Sequence, residues 1–458
     1  MTRSRHLAAV AVAGVLSSGA LLGQDIAGED GRFTFQEDRS RLINVMLVQD
    51  GEAIRLAWPG NAAEPWDTAL LATEVSVDPG ARSPSVTIAA GDRVDRQYFP
   101  AGQSGPRWVN LSFLRGTLAA GAQITLRGEG TVVAPGEAGL RLFASNPDLS
   151  KAMLILAPHP DDAEIAAFGL YANRAATVVT VTAGNAGSPT YESVFDDPAE
   201  LYWFKGRIRL IDSITIPWQG GIPPERAFNM GYFDARLAEM YDKRGAVVPE
   251  MYRPNSDINL YRKENISALL PKRARESTWA NLVDDIETVL KKVKPSIVVA
   301  PHPQLDTHRD HQFTAVALAE ALARWKKPVT LLLYTNHAER NRYPHGPAGT
   351  IMSLPTPARD VRLDRVYSHH VTPALQRLKL FALESMHDLR FSPTRQYQLA
   401  IDDDRTGTPE KTGPEPDITY LRRGPRSNEL FYVYDQESVK PMVEGFLKGR
   451  NQSTVDSR

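Results

Sequence analysis

Two short stretches of the sequence place histidines and aspartates directly after apolar runs. The first, His159-Pro160-Asp161-Asp162, follows the run MLILA. The second, PHPQLDTHRDH at 301–311, follows PSIVVA. Histidine nitrogens and carboxylate oxygens are zinc ligands, and a hydrolytic zinc site needs three of them beside an open position for water. An aspartate next to such a water can take its proton, because the metal lowers the pKa of the water toward about 7.

An alternative interpretation of the first stretch is a polar turn in which an aspartate caps a helix. Aspartate is common and favourable at helix N-termini. Capping accounts for one aspartate, but it does not account for a second cluster in the same position after another apolar run. Unbroken apolar runs are typical of buried parallel strands, and open α/β sheets bind ligands at the carboxyl ends of their strands. We therefore predict that the two stretches form one metal site.

The chain around these stretches alternates between strand-like and helix-like segments. Residues 279–293, WANLVDDIETVLKKV, form an amphipathic helix pattern. Apolar runs at 176–184, 328–334 and 429–435 predict further strands. The alternation predicts an α/β domain over 150–440 with a mainly parallel, Rossmann-like sheet and flanking helices. We expect insertions at 185–275 and 402–417 and a tail at 441–458.

Residues 25–148 have a different pattern. Short stretches such as AQITLRG alternate apolar and polar residues, which is typical of half-buried strands, and turn-forming residues separate them. Several short strands at this spacing predict a β-sandwich-like domain before the α/β domain.

The N-terminus has the pattern of a signal peptide. Arg3 and Arg5 precede a short apolar stretch that is rich in small residues, so we predict a signal peptide over 1–24 and an exported, periplasmic or extracellular protein. An uncleaved N-terminal anchor is the alternative. We expect no further membrane span, because no later segment is long and apolar enough.

The composition excludes several classes of function. The 53 Lys and Arg nearly balance the 54 Asp and Glu, so the chain lacks the basic excess of a nucleic-acid-binding protein. The absence of cysteine excludes disulfides, thiol catalysis and cysteine-ligated zinc. The remaining metal ligands are histidine and carboxylate, which suit Zn²⁺ and also other divalent metals.

HPDDAE after one strand and DTHRDH after another resemble the two motifs of the PIG-L family (GlcNAc-PI de-N-acetylase, LmbE-like). The resemblance covers roughly residues 150–400. It implies a zinc-dependent deacetylase with an N-acetylated amino-sugar substrate. By this resemblance His159, Asp162 and His311 bind the metal, and Asp161 is the general base.

The resemblance also implies roles for neighbouring residues. His308 assists the developing oxyanion or the leaving group, and Asp310 orients it. We expect Asp306 to be structural and His302 to lie beside the site in a supporting role.

Weaker similarities concern the substrate. Asp234 in MGYFDARL matches a family stretch whose aspartate contacts the sugar. KGRIRLIDS resembles a basic helix that offers Arg207 or Arg209 as substrate contacts, and His387 stands where the family often has a histidine near the site.

Three functions follow as hypotheses. The first is an exported zinc hydrolase that removes the N-acetyl group from a glycan or glycoconjugate containing N-acetylglucosamine. The second is a zinc amidase acting on another N-acyl substrate. The third is a glycan-binding envelope protein that works mainly through its β-rich domain. The sequence does not predict the oligomeric state.

Overall fold

The computed structural model describes residues 31–387 and 421–455, apart from 64, 273, 274 and 326 and from the side chains of 340 and 451–455. The predicted signal peptide at 1–24 and the predicted insertion at 402–417 lie outside the described residues. In the described part, no helix is long and apolar enough to cross a membrane.

The region before residue 148 is an antiparallel sheet structure with its own apolar core. Its strand order is β6-β5-β8-β3-β2-β10-β4-β7, with β9 beside β4. The long strand β2 pairs with β10 along its first part and with β3 at its end. Alternate residues of β2, among them Val45 and Leu47, point into the core. The strands of this sheet are β2 (Ser40–Asp50), β3 (Ala53–Ala57), β4 (Thr68–Val77), β5 (Ser85–Ala90), β6 (Arg93–Tyr98), β7 (Gly105–Asn110), β8 (Gln123–Glu129), β9 (Thr131–Val133) and β10 (Gly136–Phe143). The short strand β1 (Phe33–Phe35) precedes it and lies outside this sheet.

The following region is built on a seven-stranded sheet of order β13-β12-β11-β14-β15-β18-β17. The strands from β13 to β15 in this order run parallel, and β18 is antiparallel to both β15 and β17. The strands of this sheet are β11 (Met153–Ala157), β12 (Ala176–Thr182), β13 (Ala227–Tyr232), β14 (Ile297–Pro301), β15 (Thr330–Tyr334), β17 (Arg365–His370) and β18 (Asn428–Asp435). The short strand β16 (Val361–Leu363) lies outside it. The helices are α1 (Asp162–Tyr171), α2 (Pro198–Thr215), α3 (Leu237–Asp242), α4 (Asn259–Arg262), α5 (Trp279–Val293), α6 (Arg309–Trp325), α7 (Pro373–Glu384) and α8 (Gln436–Val455). The predicted fold, a mainly parallel α/β sheet preceded by an antiparallel region, is confirmed.

The strand order creates a crevice at one point of the sheet. The chain runs from β11 outward through β12 to β13, and then returns to place β14 on the other side of β11. Loops that leave the carboxyl ends of β11 and β14 therefore diverge to opposite faces of the sheet, and such a switch point is where open α/β sheets bind ligands. Both histidine-containing stretches begin in these two loops.

Two segments differ from their predicted descriptions. Residues 185–275, expected as an insertion, supply helix α2 and the edge strand β13 to the main sheet. The expected tail at 441–458 instead continues α8 as far as Val455. Val439, Met442, Val443 and Phe446 are buried along one face of this helix, because they follow the i, i+3, i+4, i+7 spacing of an amphipathic helix.

Polar contacts join the antiparallel region to the α/β region. Asn110 Nδ2 donates to Met352 O at 2.9 Å and to Ser368 Oγ at 3.1 Å. The backbone N–H of Ser368 donates to Thr68 Oγ1 at 2.8 Å. β1 also pairs with β16, so the first described strand is added beside the α/β region.

Candidate metal centre

The side chains of His159, Asp162 and His311 meet in one buried cluster. His159 Nδ1 lies 3.2 Å from Asp162 Oδ2 and 3.2 Å from His311 Nε2. His311 Nε2 lies 3.0 Å from Asp162 Oδ2. The first residue follows β11, the second begins α1 and the third lies in the first turn of α6. The structure thus brings together the three residues predicted as metal ligands.

The spacing of these three atoms suits a small divalent cation. Zinc binds nitrogen and oxygen at about 2.0–2.1 Å, so the edge of a regular tetrahedron of ligands is about 3.3 Å. The negative charge of the site also favours a bound cation. Burial lowers the pKa of His311, but Asp162 and Asp306 outweigh it and raise that pKa to about 9. A cluster that stabilises a proton at this place also stabilises a metal ion that replaces the proton.

A second layer of hydrogen bonds orients the ligands. His311 Nδ1 lies 2.9 Å from Asp306 Oδ2. Asn336 Nδ2 donates to Asp162 Oδ1 at 2.8 Å, and the Asn336 backbone N–H donates to Asp306 Oδ2 at 2.9 Å. Metal-binding histidines usually make such a bond through their second nitrogen, which fixes the ring and the tautomer. Asp306 therefore supports His311, a candidate ligand.

The second nitrogen of His159 also faces carboxylates. His159 Nε2 lies 3.2 Å from Asp234 Oδ1 and 3.3 Å from Asp310 Oδ2. Asp310 is held in turn by the backbone N–H groups of Ala235 and Leu237, at 2.6 and 3.2 Å. The loop after β13 thus fixes a carboxylate that supports His159.

Asp310 contacts His159 through its carboxylate and His308 through its main chain. Its carboxylate contacts His159, whereas His308 was expected as its partner. The Asp310 backbone N–H donates to His308 Nδ1 at 3.3 Å, so the main chain supplies the contact. The cause is the position of Asp310 in the first turn of α6, where its side chain turns toward the loop after β13. His308 itself lies beside the centre, with its ring centroid 4.7 Å from that of His159.

Asp161, the predicted base, forms a buried ion pair with Arg209. Arg209 Nη2 donates to Asp161 Oδ1 at 3.1 Å. Burial raises the pKa of Asp161, the positive charge of Arg209 opposes that rise, and the neighbouring Asp162 adds to it. Of the two arginines proposed from the sequence, Arg209 is therefore the one at the site.

Arg207 and His387 lie elsewhere. Arg207 Nη2 lies 3.0 Å from Glu264 Oε1, and His387 Nδ1 lies 2.7 Å from Asp212 Oδ1. Arg207 and His387 line a common surface cavity on the outer side of α2, and no ligand of the candidate centre lines it. Their predicted contacts with substrate stay predictions.

Asp234 is placed against the centre. It is 7% exposed, contacts His159, and accepts a hydrogen bond from the Ala186 backbone N–H at 3.2 Å. His159 outweighs the effect of burial on Asp234 and holds its pKa well below the usual range. The contacts of Asp234 are thus those of a support for His159, while its predicted contact with a sugar stays a prediction.

His302 has partners away from the ligands. Its Nε2 lies 3.0 Å from Tyr434 Oη, and its Nδ1 accepts from the backbone N–H groups of Gln304 and Leu305 at 3.2 and 3.3 Å. Burial lowers the pKa of His302 to about 3, so its ring is neutral. His302 shapes the loop that leads to His308.

His337 was missed in the sequence, although it adjoins the centre. One ring nitrogen of His337 groups with a carboxylate oxygen of Asp162 and a ring nitrogen of His311, all within 4.8 Å of one another. The residue follows β15, the next parallel strand beside β14. His337 could have been found from the stretch TNH directly after the apolar run PVTLLLY. The strand formed by this run ends at the same edge of the sheet as β11 and β14, which carry the other histidines.

Residues 154–322 match the sequence profile of the PIG-L family, described as GlcNAc-PI de-N-acetylase. A search of the curated proteins found no match. Among solved structures, the 4-carboxy-2-hydroxymuconate hydratase GalB from Pseudomonas putida is 12% identical, with 62% of this chain and 95% of that chain covered and a TM-score of 0.31. An acetyl xylan esterase from the rumen bacterium Butyrivibrio proteoclasticus is 8% identical, with 64% and 84% covered and a TM-score of 0.17. At these TM-scores neither structure supports a conclusion about this chain.

Proposed function

We propose that this chain, whose residues 154–322 are a PIG-L family domain, is an exported metal-dependent hydrolase. It removes the N-acetyl group from a glycan or glycoconjugate that contains N-acetylglucosamine. The observation that carries the proposal is the triangle of 3.0–3.2 Å between His159 Nδ1, Asp162 Oδ2 and His311 Nε2. The adjacent Asp161 is the second requirement, because hydrolysis needs a base beside the water.

When bound to the three ligands, a divalent metal supplies Lewis acidity to the acetyl carbonyl and makes a nearby water more acidic. The residues of the chain perform the proton transfers. Asp161 takes a proton from the water, whose oxygen forms a bond to the carbonyl carbon. The C–N bond then breaks, and the proton held by Asp161 passes to the amine nitrogen. The second proton of the water passes from the new carboxyl group to the amine, so the products are acetate and a protonated amine.

His308 is suited to stabilise the oxygen that becomes negative during this attack. Because its Nδ1 accepts from the Asp310 backbone N–H, the ring carries its proton on Nε2. Burial, with the neighbouring His159, His311 and His337, lowers the pKa of His308 to about 3, so the ring is neutral. A neutral N–H donor beside the centre stabilises a developing oxyanion through a hydrogen bond formed within the protein.

The substrate class rests on the family and on the N-terminal sequence. The family description names a de-N-acetylase of a GlcNAc-containing lipid. The signal-peptide pattern of residues 1–24 supports export, and an exported enzyme would meet GlcNAc-containing glycans of the envelope or secreted glycoconjugates. Cleavage of residues 1–24 and recovery of the protein outside the cytoplasm would support the export proposal.

The test combines metal analysis with acetate release. Purified protein should contain about one divalent metal per chain, and it should release acetate from GlcNAc oligomers or conjugates. A parallel panel of N-acetyl amino acids tests the amidase alternative. Acetate release from the N-acetyl amino acids alone would overturn the assignment of a sugar substrate. An unchanged rate of acetate release after complete removal of the metal would overturn the metal-dependent mechanism.

A further inference from the structure

His337 lies on the same side of the candidate centre as His308. Its ring centroid is 4.7 Å from that of His311 and 5.2 Å from that of His308. One ring nitrogen of His337 also lies within 4.8 Å of a carboxylate oxygen of Asp162, the chain neighbour of the predicted base Asp161. We propose that His337 is a catalytic residue that accepts a hydrogen bond from the attacking water and thereby orients it. The proposal rests on the hydrolase function proposed above.

The hydrogen bonds of His337 determine which ring nitrogen carries the proton. His337 Nδ1 lies 2.9 Å from Asn341 Oδ1, and an amide oxygen only accepts hydrogen bonds. The proton of the neutral ring therefore lies on Nδ1, and the lone pair lies on Nε2. His308 has the opposite tautomer, because its Nδ1 accepts a backbone N–H. Two histidines beside the centre thus differ in function: His308 is a donor, and His337 is an acceptor.

The loop after β15 holds His337 in this orientation. The His337 backbone N–H donates to Asp306 Oδ2 at 3.2 Å, which ties it to the carboxylate that orients His311. Asn341 has a φ of 63°, in the left-handed region that asparagine tolerates better than most residues. Arg423 Nη2 donates to the carbonyl oxygens of Asn341 and Tyr343. The backbone that carries the Asn341 amide is therefore held in place.

An acceptor at this place completes the binding of the water. A water molecule has two O–H bonds, and Asp161 accepts one of them. If His337 Nε2 accepts the other, both hydrogens of the water are directed to the protein and a lone pair is free to attack the carbonyl carbon. His337 takes no proton in this step: the proton goes to Asp161, and the water oxygen forms the new bond. The contribution of His337 is orientation, which raises kcat more than it changes KM.

The competing assignment is that His337 is a fourth metal ligand. Both assignments use the lone pair on Nε2, but they differ in measurable ways. Loss of a ligand lowers metal affinity strongly, whereas loss of a water acceptor lowers turnover and leaves metal affinity nearly unchanged. Measurements of the two quantities on the same variant therefore separate the assignments.

The first experiment is nuclear magnetic resonance of metal-free protein labelled with ¹⁵N-histidine. Long-range ¹H–¹⁵N spectra distinguish the two neutral tautomers, and single-histidine variants assign the signals. We expect the Nδ1–H form for His337 and the Nε2–H form for His308. The variant Asn341→Gly keeps the left-handed backbone but removes the amide, so the His337 signal should shift toward a mixture of tautomers. A His337 ring in the Nε2–H form in the wild-type protein would overturn the proposal.

The second experiment uses His337→Ala and His337→Gln, with His370→Ala as the control because His370 is an exposed histidine of β17. We expect His337→Ala to lower kcat by about 10²-fold, the loss typical of a misplaced reacting group. KM and the metal affinity from chelator competition should change less than about threefold. His337→Gln, whose amide oxygen is an acceptor, should recover part of kcat.

A fall in metal affinity of His337→Ala as large as that of His311→Ala would identify His337 as a ligand and overturn the proposal. An unchanged kcat would also overturn it. Failure of the hydrolase function itself has a different signature, because the wild-type protein would then release no acetate although its tautomers and metal affinity were as expected.

Discussion

Arg209 Nη2 lies 3.1 Å from Asp161 Oδ1, and neither side chain is more than 10% exposed. Burial of a carboxyl group favours its neutral form, which cannot act as a base. The guanidinium group of α2 opposes this effect on Asp161. If Asp161 is the base, as proposed, we expect Arg209 to extend activity toward lower pH because it favours the ionised form of Asp161.

We expect Arg209→Gln to move the acid limb of the kcat/KM profile to higher pH. Activity is lost as the pH falls through the pKa of Asp161, and removal of the nearby positive charge raises that pKa. Removal of one opposite charge at this distance shifts a pKa by about one unit or more. The measurement is kcat/KM for acetate release across the pH range in which the wild-type enzyme is stable.

Arg207→Gln is the matched control. Arg207 lies on the same helix and pairs with Glu264, away from Asp161. Its pH profile should match that of the wild-type enzyme. Equal shifts in both variants would indicate a general effect of net charge and contradict the specific role of Arg209.

Asp161→Asn and His311→Ala should fail in different ways. Asp161→Asn removes the base but no ligand, so metal should be retained while kcat falls by about 10²–10⁴-fold, the usual contribution of a general base. His311→Ala should lose both metal and activity. The checks are metal content after dialysis and initial rates of acetate release. Wild-type turnover by Asp161→Asn, or tight metal retention by His311→Ala, would refute the corresponding assignment.

Asp306→Asn should weaken metal binding without removal of a ligand. The carboxylate of Asp306 lies 2.9 Å from His311 Nδ1, and outer partners of this kind usually contribute 10–100-fold to metal affinity. We expect a loss of about that size in chelator competition. Asp284→Asn is the control, because Asp284 is an exposed residue paired with Arg324 on the surface. Equal affinity of the Asp306 variant and the wild-type protein would exclude this supporting role.

The positions of the candidate metal ligands could be predicted because strands position them. The runs before His159 and before 301–311 are apolar throughout, so each marks a buried strand and its carboxyl end. These two strand ends flank the switch point of the sheet. They therefore bring the histidines together independently of the structure of the rest of the chain. The antiparallel region was predictable for a similar reason, since the period of two in its strands is a local signal.

Two features could not be predicted from the sequence: which side of a helix faces the site, and which contacts join residues that are distant in the chain. Arg207 and Arg209 are two residues apart on α2, so they point about 200° apart around the helix axis. The sequence alone does not indicate which of the two side chains faces the sheet. The contact of the Asp310 carboxylate with His159 was not predicted, because the N–H groups that hold this carboxylate belong to Ala235 and Leu237, which are distant in sequence.

A buried ion pair joins α1 to the rest of the fold. Lys379 Nζ lies 2.8 Å from Glu429 Oε1, and both side chains are at most 1% exposed. Glu429 accepts from the Gly169 backbone N–H, and Lys379 donates to Ile165 O, each at 2.8 Å. Gly169 N–H and Ile165 O are i+4 partners in a regular helix. The pair thus anchors the helix whose first turn carries Asp162.

We expect Lys379→Met to destabilise the protein by about 3 kcal/mol or more, because it leaves the carboxylate of Glu429 buried without its counter-charge. The double variant Lys379→Met, Glu429→Gln should recover part of this loss, since glutamine is neutral and its amide oxygen still accepts from Gly169. Lys440→Met is the surface control: Lys440 is 82% exposed and its pair with Glu444 should contribute less than about 1 kcal/mol.

The measurement is denaturant unfolding of each variant followed by fluorescence, which gives the unfolding midpoints. A double variant less stable than Lys379→Met would show that the main cost is lost hydrogen bonding and not the unpaired charge.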